Sequence, residues 1–121
     1  MGLLDGNVAV VTGAGQGIGK GVARRLVLEG AKVVVAELNE QQGEQAAVEL
    51  RELGGDAVFV KTDVSKKADV ENMVAAAVKN FGRLDILVNN ACRAPAQLLF
   101  EEKTDAMLEE QLAIGVWGSW W

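Results

Sequence analysis

The residues Val8-Ala9-Val10-Val11 run directly into Thr12-Gly13-Ala14-Gly15-Gln16-Gly17-Ile18-Gly19, and this junction is the strongest structural signal in the chain. An unbroken apolar, β-branched run predicts a strand that is buried on both faces. The glycines that follow allow a tight turn and a close approach of the backbone to a ligand, and a helical pattern begins at once. The N-terminus of such a helix has unpaired N–H groups and the positive end of a dipole, which suit a pyrophosphate. The junction therefore predicts a dinucleotide-binding turn between a buried strand and a helix.

Strand and helix patterns alternate along the chain beyond this turn. Apolar runs at 32–36, 57–60 and 84–88 predict three further buried strands. Asn39 and Gln42 have the spacing of a helix capping box, and Ser65 is the predicted cap of a later helix. The helical stripes are Ile18, Val22 and Leu26, then Ala46, Ala47, Leu50 and Leu53, then Val70, Met73, Val74, Ala77, Val78 and Phe81. This alternation is typical of right-handed βαβ units with a parallel sheet.

The last segment has a different pattern. Thr104 and Asp105 suit the cap and the first turn of a helix that starts at about residue 104. Leu108 and Leu112 share one face of this helix, while Met107, Ile114, Trp117 and Trp121 lie near another. The sheet can cover only one apolar face, and the chain stops at Trp121 with no capping residue. We therefore expect a helix that is cut partway, whose second face meets another copy of the chain or a complementing chain.

Composition restricts the class of protein. The 121 residues suit a single domain, and the net charge of −5, without basic blocks, argues against nucleic acid and membrane partners. A single cysteine, with no apolar leader and no membrane-spanning run, predicts a soluble cytoplasmic chain. The sequence contains no Tyr and no His, so these residues alone cannot use a phenol or an imidazole. We assign no metal ligands.

Three polar positions follow the later strands. Glu37 comes just after the second strand, where a carboxylate can accept hydrogen bonds from both adenosine ribose hydroxyls; a solvated surface glutamate is the alternative. Asp63-Val64 could contact adenine, or Asp63 could serve equally as a loop or capping residue. Asn89-Asn90-Ala91 could join neighbouring strand ends or simply form a turn. A phosphate-binding P-loop fails on spacing, because Ala14 and Gly21 stand where it requires Gly and Ser or Thr.

Together these motifs resemble the short-chain dehydrogenase/reductase family over the whole chain. The resemblance is carried by Thr12-Gly13-x-x-x-Gly17-Ile18-Gly19, by Asp63-Val64 and by Asn89-Asn90-Ala91, in that order. It implies a Rossmann-type, doubly wound parallel sheet with four strands in the order 3-2-1-4, ending before a fifth. It implies the following cofactor contacts: Gly13, Gln16 (through its backbone), Gly17, Ile18 and Gly19 around the pyrophosphate and adjoining ribose, Glu37 on the ribose hydroxyls, Asp63 and Val64 on adenine, and Asn89 and Ala91 near the nicotinamide sugar. The negative charge of Glu37 favours NAD over NADP.

The chain also departs from this family. The family uses a Ser and a Tyr-x-x-x-Lys pair for hydride transfer, and neither can be assigned here, so we name no catalytic residue. A further Asn would fall near Gly115, and Cys92 replaces a glycine; we expect Cys92 to be a small buried filler rather than a reactive thiol.

The resulting prediction is the NAD(H)-binding part of such a dehydrogenase, inactive by itself. The alternatives are a non-catalytic dinucleotide-binding module and an interaction fragment completed by another chain. A methyltransferase with a similar glycine turn is disfavoured, because Asn89-Asn90-Ala91 has no role in it.

Overall fold

The computed structural model describes residues 2–92 and 98–121. Its strands are β1 (Val8–Thr12), β2 (Lys32–Glu37), β3 (Ala57–Lys61) and β4 (Ile86–Val88). Its α-helices are α1 (Gly17–Leu28), α2 (Glu40–Glu52), α3 (Lys67–Phe81), α4 (Asp105–Leu112) and α5 (Gly118–Trp120). A short 3₁₀ turn spans Phe100–Glu102, and a π-helical turn, Ala113–Trp117, joins α4 to α5. All strand pairs are parallel and the order is β3-β2-β1-β4, which confirms the predicted topology.

Each face of the sheet carries its own apolar core. Every residue of β1 is buried, which explains why its sequence shows no polar alternation. The core beneath α1 and α2 contains Ala9, Val11, Ala14, Ala23, Val27, Val33, Val35, Ala46, Ala47, Leu50 and Ala57. The core beneath α3 contains Val8, Val10, Val34, Ala36, Val64, Val70, Met73 and Ala77, with Ile114 packed against it. The sheet is thus covered on both sides, and its carboxyl edge leads into the glycine turn.

The predicted stripe of α1 is confirmed only in part, because Leu26 packs against the core but Ile18 does not. The buried residues of this helix are Gly19, Ala23 and Val27, whereas Ile18 is 80% exposed. Small side chains face the sheet because the helix lies close to it, and the larger apolar residue stands at the open start of the helix. Ile18 is therefore free to contact a ligand instead of the core.

Two boundaries also differ from the prediction. Lys66, not Ser65, is the residue that precedes α3, and it makes no side-chain cap. Ser65 instead donates both its backbone N–H and its hydroxyl to Asp63 Oδ1, at 2.9 and 2.5 Å. The fourth strand begins at Ile86 rather than at residue 84, because the side chain of Asp85 is bonded to the start of β1.

In the segment of residues 98–121, one apolar face packs against the core and the other stays exposed. Thr104 accepts the N–H of Met107 at 3.3 Å, which confirms the predicted cap of α4. Ile114 and Gly118 pack against the core under α3, and Trp117 stacks on Trp121 with ring centroids 6.3 Å apart. The large exposed apolar side chains that the structure describes in this segment include Leu98, Leu99, Leu108, Leu112, Val116, Trp117, Trp120 and Trp121. In the described part of the chain, no helix combines the length and the apolar character needed to cross a bilayer.

Asp85 links the amino-terminal ends of β1 and β4. Its Oδ2 accepts the N–H of Val8 at 2.8 Å, and its own N–H donates to the carbonyl of Val8 at 2.9 Å. Its Oδ1 accepts from Arg83 at 2.5 and 3.0 Å. The Arg83 guanidinium, and after it the N–H of Val8, lowers the pKa of the Asp85 carboxyl from its ordinary value of 3.8. The ionised carboxylate therefore stabilises the folded chain.

We expect Asp85→Asn to lower the free energy of unfolding at neutral pH and to have little effect in acid. The folded-state pKa of Asp85 lies below the unfolded value of 3.8, so this contribution is complete above that value and is lost as pH falls through the folded pKa. Urea unfolding at pH 7 and near pH 2.5 measures the difference between the two proteins. An equal difference at both pH values would contradict the assignment, and Asp56→Asn serves as the control substitution.

Candidate dinucleotide-binding site

Two glycines give the β1–α1 turn its path. Gly13 has φ +65° and Gly17 has φ +57°, both in the left-handed region that other residues rarely adopt. Gly13 donates its N–H to the carbonyl of Ala36 at 2.8 Å, so the turn leaves the sheet between the ends of β1 and β2. A Cβ added at Gly17 would meet no atom within 4 Å. The space over the first turn of α1 is therefore open.

The third glycine of the motif permits close packing. A Cβ at Gly19 would lie 2.3 Å from the carbonyl oxygen of Gly13 and 2.4 Å from Nδ2 of Asn90. The latter group donates to the carbonyls of Thr12 and Gly13, at 3.2 and 3.3 Å. Gly19 is thus required because the start of α1 lies directly on the end of β1 and on the asparagine below it.

The hydroxyl of Thr12 connects the carboxyl ends of β1 and β4. It donates to the carbonyl of Val88 at 3.3 Å and accepts the N–H groups of Asn90 and Ala91, both at 2.9 Å. Thr12 is only 2% exposed, so these bonds are shielded from water. The structure confirms that the asparagine motif joins strand ends, and it assigns this task to Asn90. Thr12 and Asn90 stand inside the sequence motifs, but the motifs by themselves do not identify either residue as part of the site.

Glu37 ends β2 beside the glycine turn and is held by two backbone groups. Its Oε1 accepts the N–H of Gly15 at 3.0 Å, and its Oε2 accepts the N–H of Asn39 at 3.1 Å. The side chain is half-buried rather than freely solvated. Since each carboxylate oxygen has two acceptor positions, both oxygens can accept a further donor.

Gln16 precedes α1 on the rim of an open groove of about 540 Å³ between α1 and α2. Its Oε1 accepts from Nε2 of Gln42 at 3.1 Å. Asn39 caps α2 by accepting the N–H of Gln42 at 3.0 Å, as predicted, but the reciprocal bond of a capping box is replaced by the bond from Asn39 to Glu37. Lys20, the cation in the groove lining, pairs with Glu49 at 2.6 Å, and this bond, followed by one from Gln45, lowers the pKa of Glu49.

Asp63 and Val64 lie beyond the end of β3. One oxygen of Asp63 is occupied by Ser65, as in the capping alternative, and the N–H of Asp63 donates to Asp69 at 2.9 Å. Val64 is 9% exposed, and a Cβ added at Gly118 would lie 3.1 Å from its Cβ. Val64 is therefore largely covered by the last helical segment, which the sequence did not indicate.

The remaining motif positions differ in exposure. Asn89 is exposed and Ala91 is half-buried at the end of β4. Cys92 is exposed, so the prediction of a buried filler was wrong, because β4 has already ended at Val88 and the chain has left the core. Gly115 lies in the π-helical turn, a feature frequent at functional sites, and a Cβ there would meet no atom within 4 Å.

The structure thus brings Gly13, Gln16, Gly17, Ile18, Gly19 and Glu37 together around one turn. Asp63 follows β3, and Asn89 and Ala91 follow β4; these are the two outer strands, and their carboxyl ends lie at the same edge of the sheet as the turn. Among residues 2–92 and 98–121, no three Asp, Glu, Cys or His side chains are grouped so that they could hold a metal ion.

Comparison with known proteins agrees with this geometry. The family model described as short chain dehydrogenase matches residues 7–120. An uncharacterized oxidoreductase of Thermotoga maritima is 48% identical over 99 residues, covering 82% of this chain and 39% of its own length. A 3-ketoacyl-(acyl-carrier-protein) reductase from Brucella melitensis, solved with NADH, has a TM-score of 0.89 at 39% identity, covering 97% of this chain and 47% of its own. A short chain dehydrogenase/reductase from Burkholderia phymatum, solved with NAD, has a TM-score of 0.90 at 34% identity, covering 98% and 42%.

The chain therefore belongs to the short-chain dehydrogenase family, and its own four parallel strands form a Rossmann-type sheet that matches part of the solved relatives. It spans about two fifths of the length of the curated relatives it matches, 39% for the Thermotoga protein.

We expect Thr12→Val to lower the free energy of unfolding by about 2 kcal/mol, because the isosteric change leaves the N–H of Ala91 without an acceptor and leaves the N–H of Asn90 with only its 3.1 Å bond to the carbonyl of Val88. Thr62→Val is the matched control, since Thr62 is also buried but its hydroxyl only donates, to the carbonyl of Val60 at 3.0 Å. Its expected cost is about 1 kcal/mol. Urea unfolding measures the free energy of unfolding of both variants. Equal decreases would show that the Thr12 hydroxyl contributes no more to stability than the Thr62 hydroxyl.

Proposed function

We propose that this chain is the NAD(H)-binding part of a short-chain dehydrogenase whose whole protein interconverts an alcohol and a carbonyl compound. The observation that carries the proposal is the Glu37 carboxylate, held beside the open glycine turn at the start of α1. The Brucella and Burkholderia relatives, solved with NADH and with NAD, support a nicotinamide dinucleotide as the ligand. Such a ligand supplies the hydride donor or acceptor when it is bound.

The residues of the turn fit this group. The N–H groups of Gly17, Ile18 and Gly19 precede the first intrahelical bond, which runs from Lys20 to Gln16 at 3.3 Å. They are therefore available to a pyrophosphate, whose charge is also stabilised by the positive end of the helix dipole. The exposed Ile18 side chain gives the same ligand an apolar contact.

Each remaining position has one task in this proposal. Gly13 and the backbone of Gln16 complete the surroundings of the pyrophosphate and the adjoining ribose. Glu37 accepts hydrogen bonds from the ribose hydroxyls, through the acceptor positions that Gly15 and Asn39 leave open. The second oxygen of Asp63 and the uncovered edge of Val64 contact adenine, and Asn89 and Ala91 contact the sugar next to the nicotinamide.

NAD is the preferred dinucleotide in this proposal. A 2′-phosphate beside Glu37 would bring like charges to about 4 Å, where each unit-charge pair costs about 4 kcal/mol at an effective dielectric constant near 20. Neither Gln16 nor Leu38 provides a compensating cation, and Lys20 is already paired with Glu49. If screening and rearrangement removed two thirds of the repulsion, about tenfold selectivity would remain.

In calorimetric titrations we expect the chain to bind NAD at least about tenfold more tightly than NADP. Glu37→Ala should lower the ratio of NAD affinity to NADP affinity, because it removes both the acceptor for the ribose hydroxyls and the charge that repels a 2′-phosphate. Glu44→Ala, at an exposed position of α2, is the matched control and should leave the ratio unchanged. A Glu37→Ala chain that retains the full preference for NAD would exclude the assigned role of Glu37.

We also propose that these 121 residues do not transfer hydride by themselves. The family's proton relay uses a Tyr, and the sequence contains none. Gly115, where a further relay Asn would be expected, carries no side chain. The chain then holds the dinucleotide without the phenol that exchanges a proton with the substrate oxygen in this family.

Nicotinamide absorbance should accordingly stay constant when the purified 121-residue chain is mixed with NAD and alcohols, or with NADH and ketones. A relative that carries the Tyr-x-x-x-Lys pair is the positive control under the same conditions. Clear turnover by the chain, proportional to its concentration and lost with Gly17→Val, would contradict this proposal.

The chain's organisation and location belong to the same proposal. Residues 1–121 form one incomplete dinucleotide-binding domain, supported by the continuous four-stranded sheet of the described residues. A reducing, cytoplasmic environment agrees with a single cysteine, Cys92.

A second candidate is an interaction fragment, favoured by the apolar face of residues 104–121, on which Trp120 is 78% exposed. Exposed apolar patches of this kind mark surfaces that meet a partner, here another copy or a complementing chain. If interaction is the only function, sedimentation depends on concentration and calorimetry with NAD gives no heat. A chain that binds NAD as a dilute monomer excludes this alternative.

A further inference from the structure

We propose that Gly15 is a specificity-determining position that sets the preference for NAD by holding the carboxylate of Glu37. This inference rests on the proposed dinucleotide function. The family-type pattern Gly13, Gly17 and Gly19 does not include Gly15, and Gly15 has no positive φ that would require glycine. The reason for glycine at this position must therefore be steric.

The space beside Gly15 is occupied by one side chain. A Cβ added at Gly15 would lie 2.6 Å from Cγ of Glu37, 2.7 Å from Oε1 and 2.9 Å from Cδ. These are the three nearest atoms, and all belong to Glu37. The closest contacts of a methyl group here are thus all with the acidic side chain, which the methyl group would displace.

The backbone of Gly15 also binds the Glu37 carboxylate, for which the absence of a side chain at position 15 leaves room. Its N–H donates to Oε1 at 3.0 Å, while the N–H of Asn39 donates to Oε2 at 3.1 Å. Each oxygen of the carboxylate is thus held by a different backbone N–H, one from the β1–α1 turn and one from the residue before α2. We call this arrangement the Glu37 clamp.

The clamp affects the two dinucleotides differently. The ribose of NAD offers hydroxyl donors to a carboxylate that is already oriented, so no side-chain freedom is lost on binding, a saving worth about twofold to tenfold in affinity. The 2′-phosphate of NADP meets the same fixed charge as a repulsion and cannot gain from its orientation. Releasing the carboxylate therefore weakens NAD binding but has little effect on NADP binding, because the charge of Glu37 is retained, so the ratio of the two dissociation constants changes.

Gly15→Ala tests this role, with Gly21→Ala as the matched control. Gly21 lies in α1, is exposed, and an added Cβ there meets no atom within 4 Å. In calorimetry we expect Gly15→Ala to weaken NAD about fivefold to tenfold and to change NADP by less than about twofold. Gly21→Ala should leave both affinities unchanged. A simple folding defect would weaken both dinucleotides equally and leave their ratio as it was.

The double variant locates the effect in Glu37. In a Glu37→Gln background the preference for NAD over NADP is already reduced. Adding Gly15→Ala should then lower the ratio of the NADP and NAD dissociation constants by no more than about twofold. If Gly15→Ala lowers the ratio as much in this background as in the wild type, it does not act through Glu37 and the inference is wrong.

A measurement without ligand tests the clamp itself. In ¹H–¹⁵N spectra of the free chain, Gly15→Ala should move the amide resonance of Asn39 in the same direction as Glu37→Gln does, since both disturb its acceptor. An Asn39 resonance that does not move in Gly15→Ala excludes the clamp. A wild type that binds neither dinucleotide overturns the proposed function and this inference together. A wild type that prefers NAD, with an unchanged preference in Gly15→Ala, overturns the inference alone.

Discussion

The hydrogen bonds around the Thr12 hydroxyl are the interaction on which the site depends. They join the ends of β1 and β4 and place Asn90 below the glycine turn. Asn90 in turn holds the carbonyls of Thr12 and Gly13, so the backbone enters the turn from one defined position. The start of α1 then lies close enough to the sheet that Gly19 has no room for a side chain. An anion site made of backbone N–H groups needs this rigidity, because its geometry comes entirely from the path of the chain.

The same turn also carries the electrostatic part of the site. The N–H of Gly15 donates to one oxygen of Glu37, and the Glu37 side chain occupies the space that a side chain at position 15 would fill. The N–H of Asn39, just before α2, donates to the other oxygen. The Glu37 carboxylate, which would meet the adenosine ribose, is therefore positioned by two backbone N–H groups that precede helices α1 and α2. Neighbouring charged residues in the described chain do not position it. Selectivity between dinucleotides would then depend on glycine spacing as much as on the acidic residue itself.

Much of the fold could be predicted from local patterns. The buried strands, the parallel order and the caps at Asn39 and Thr104 follow from apolar runs and from short-range hydrogen bonding. The predictions that were wrong have both long-range and local causes. Periodicity favoured Ile18 for the buried side of α1, but the close approach to the sheet selects Gly19 and Ala23. Ser65 looks like a helix cap in isolation, yet Asp63 is near enough to take both of its donors.

The sequence alone determined the class of fold, the position of the dinucleotide turn and the acidic residue at the end of β2. These features need only residue types at fixed spacings, since glycine, β-branched residues and carboxylates restrict the local backbone and charge directly. Tertiary structure decided which asparagine joins the strands, that Val64 lies under Gly118, and that Glu37 is held by Gly15. Each of these contacts joins residues more than twenty positions apart, and their distances are set by how the helices pack on the sheet rather than by any local preference.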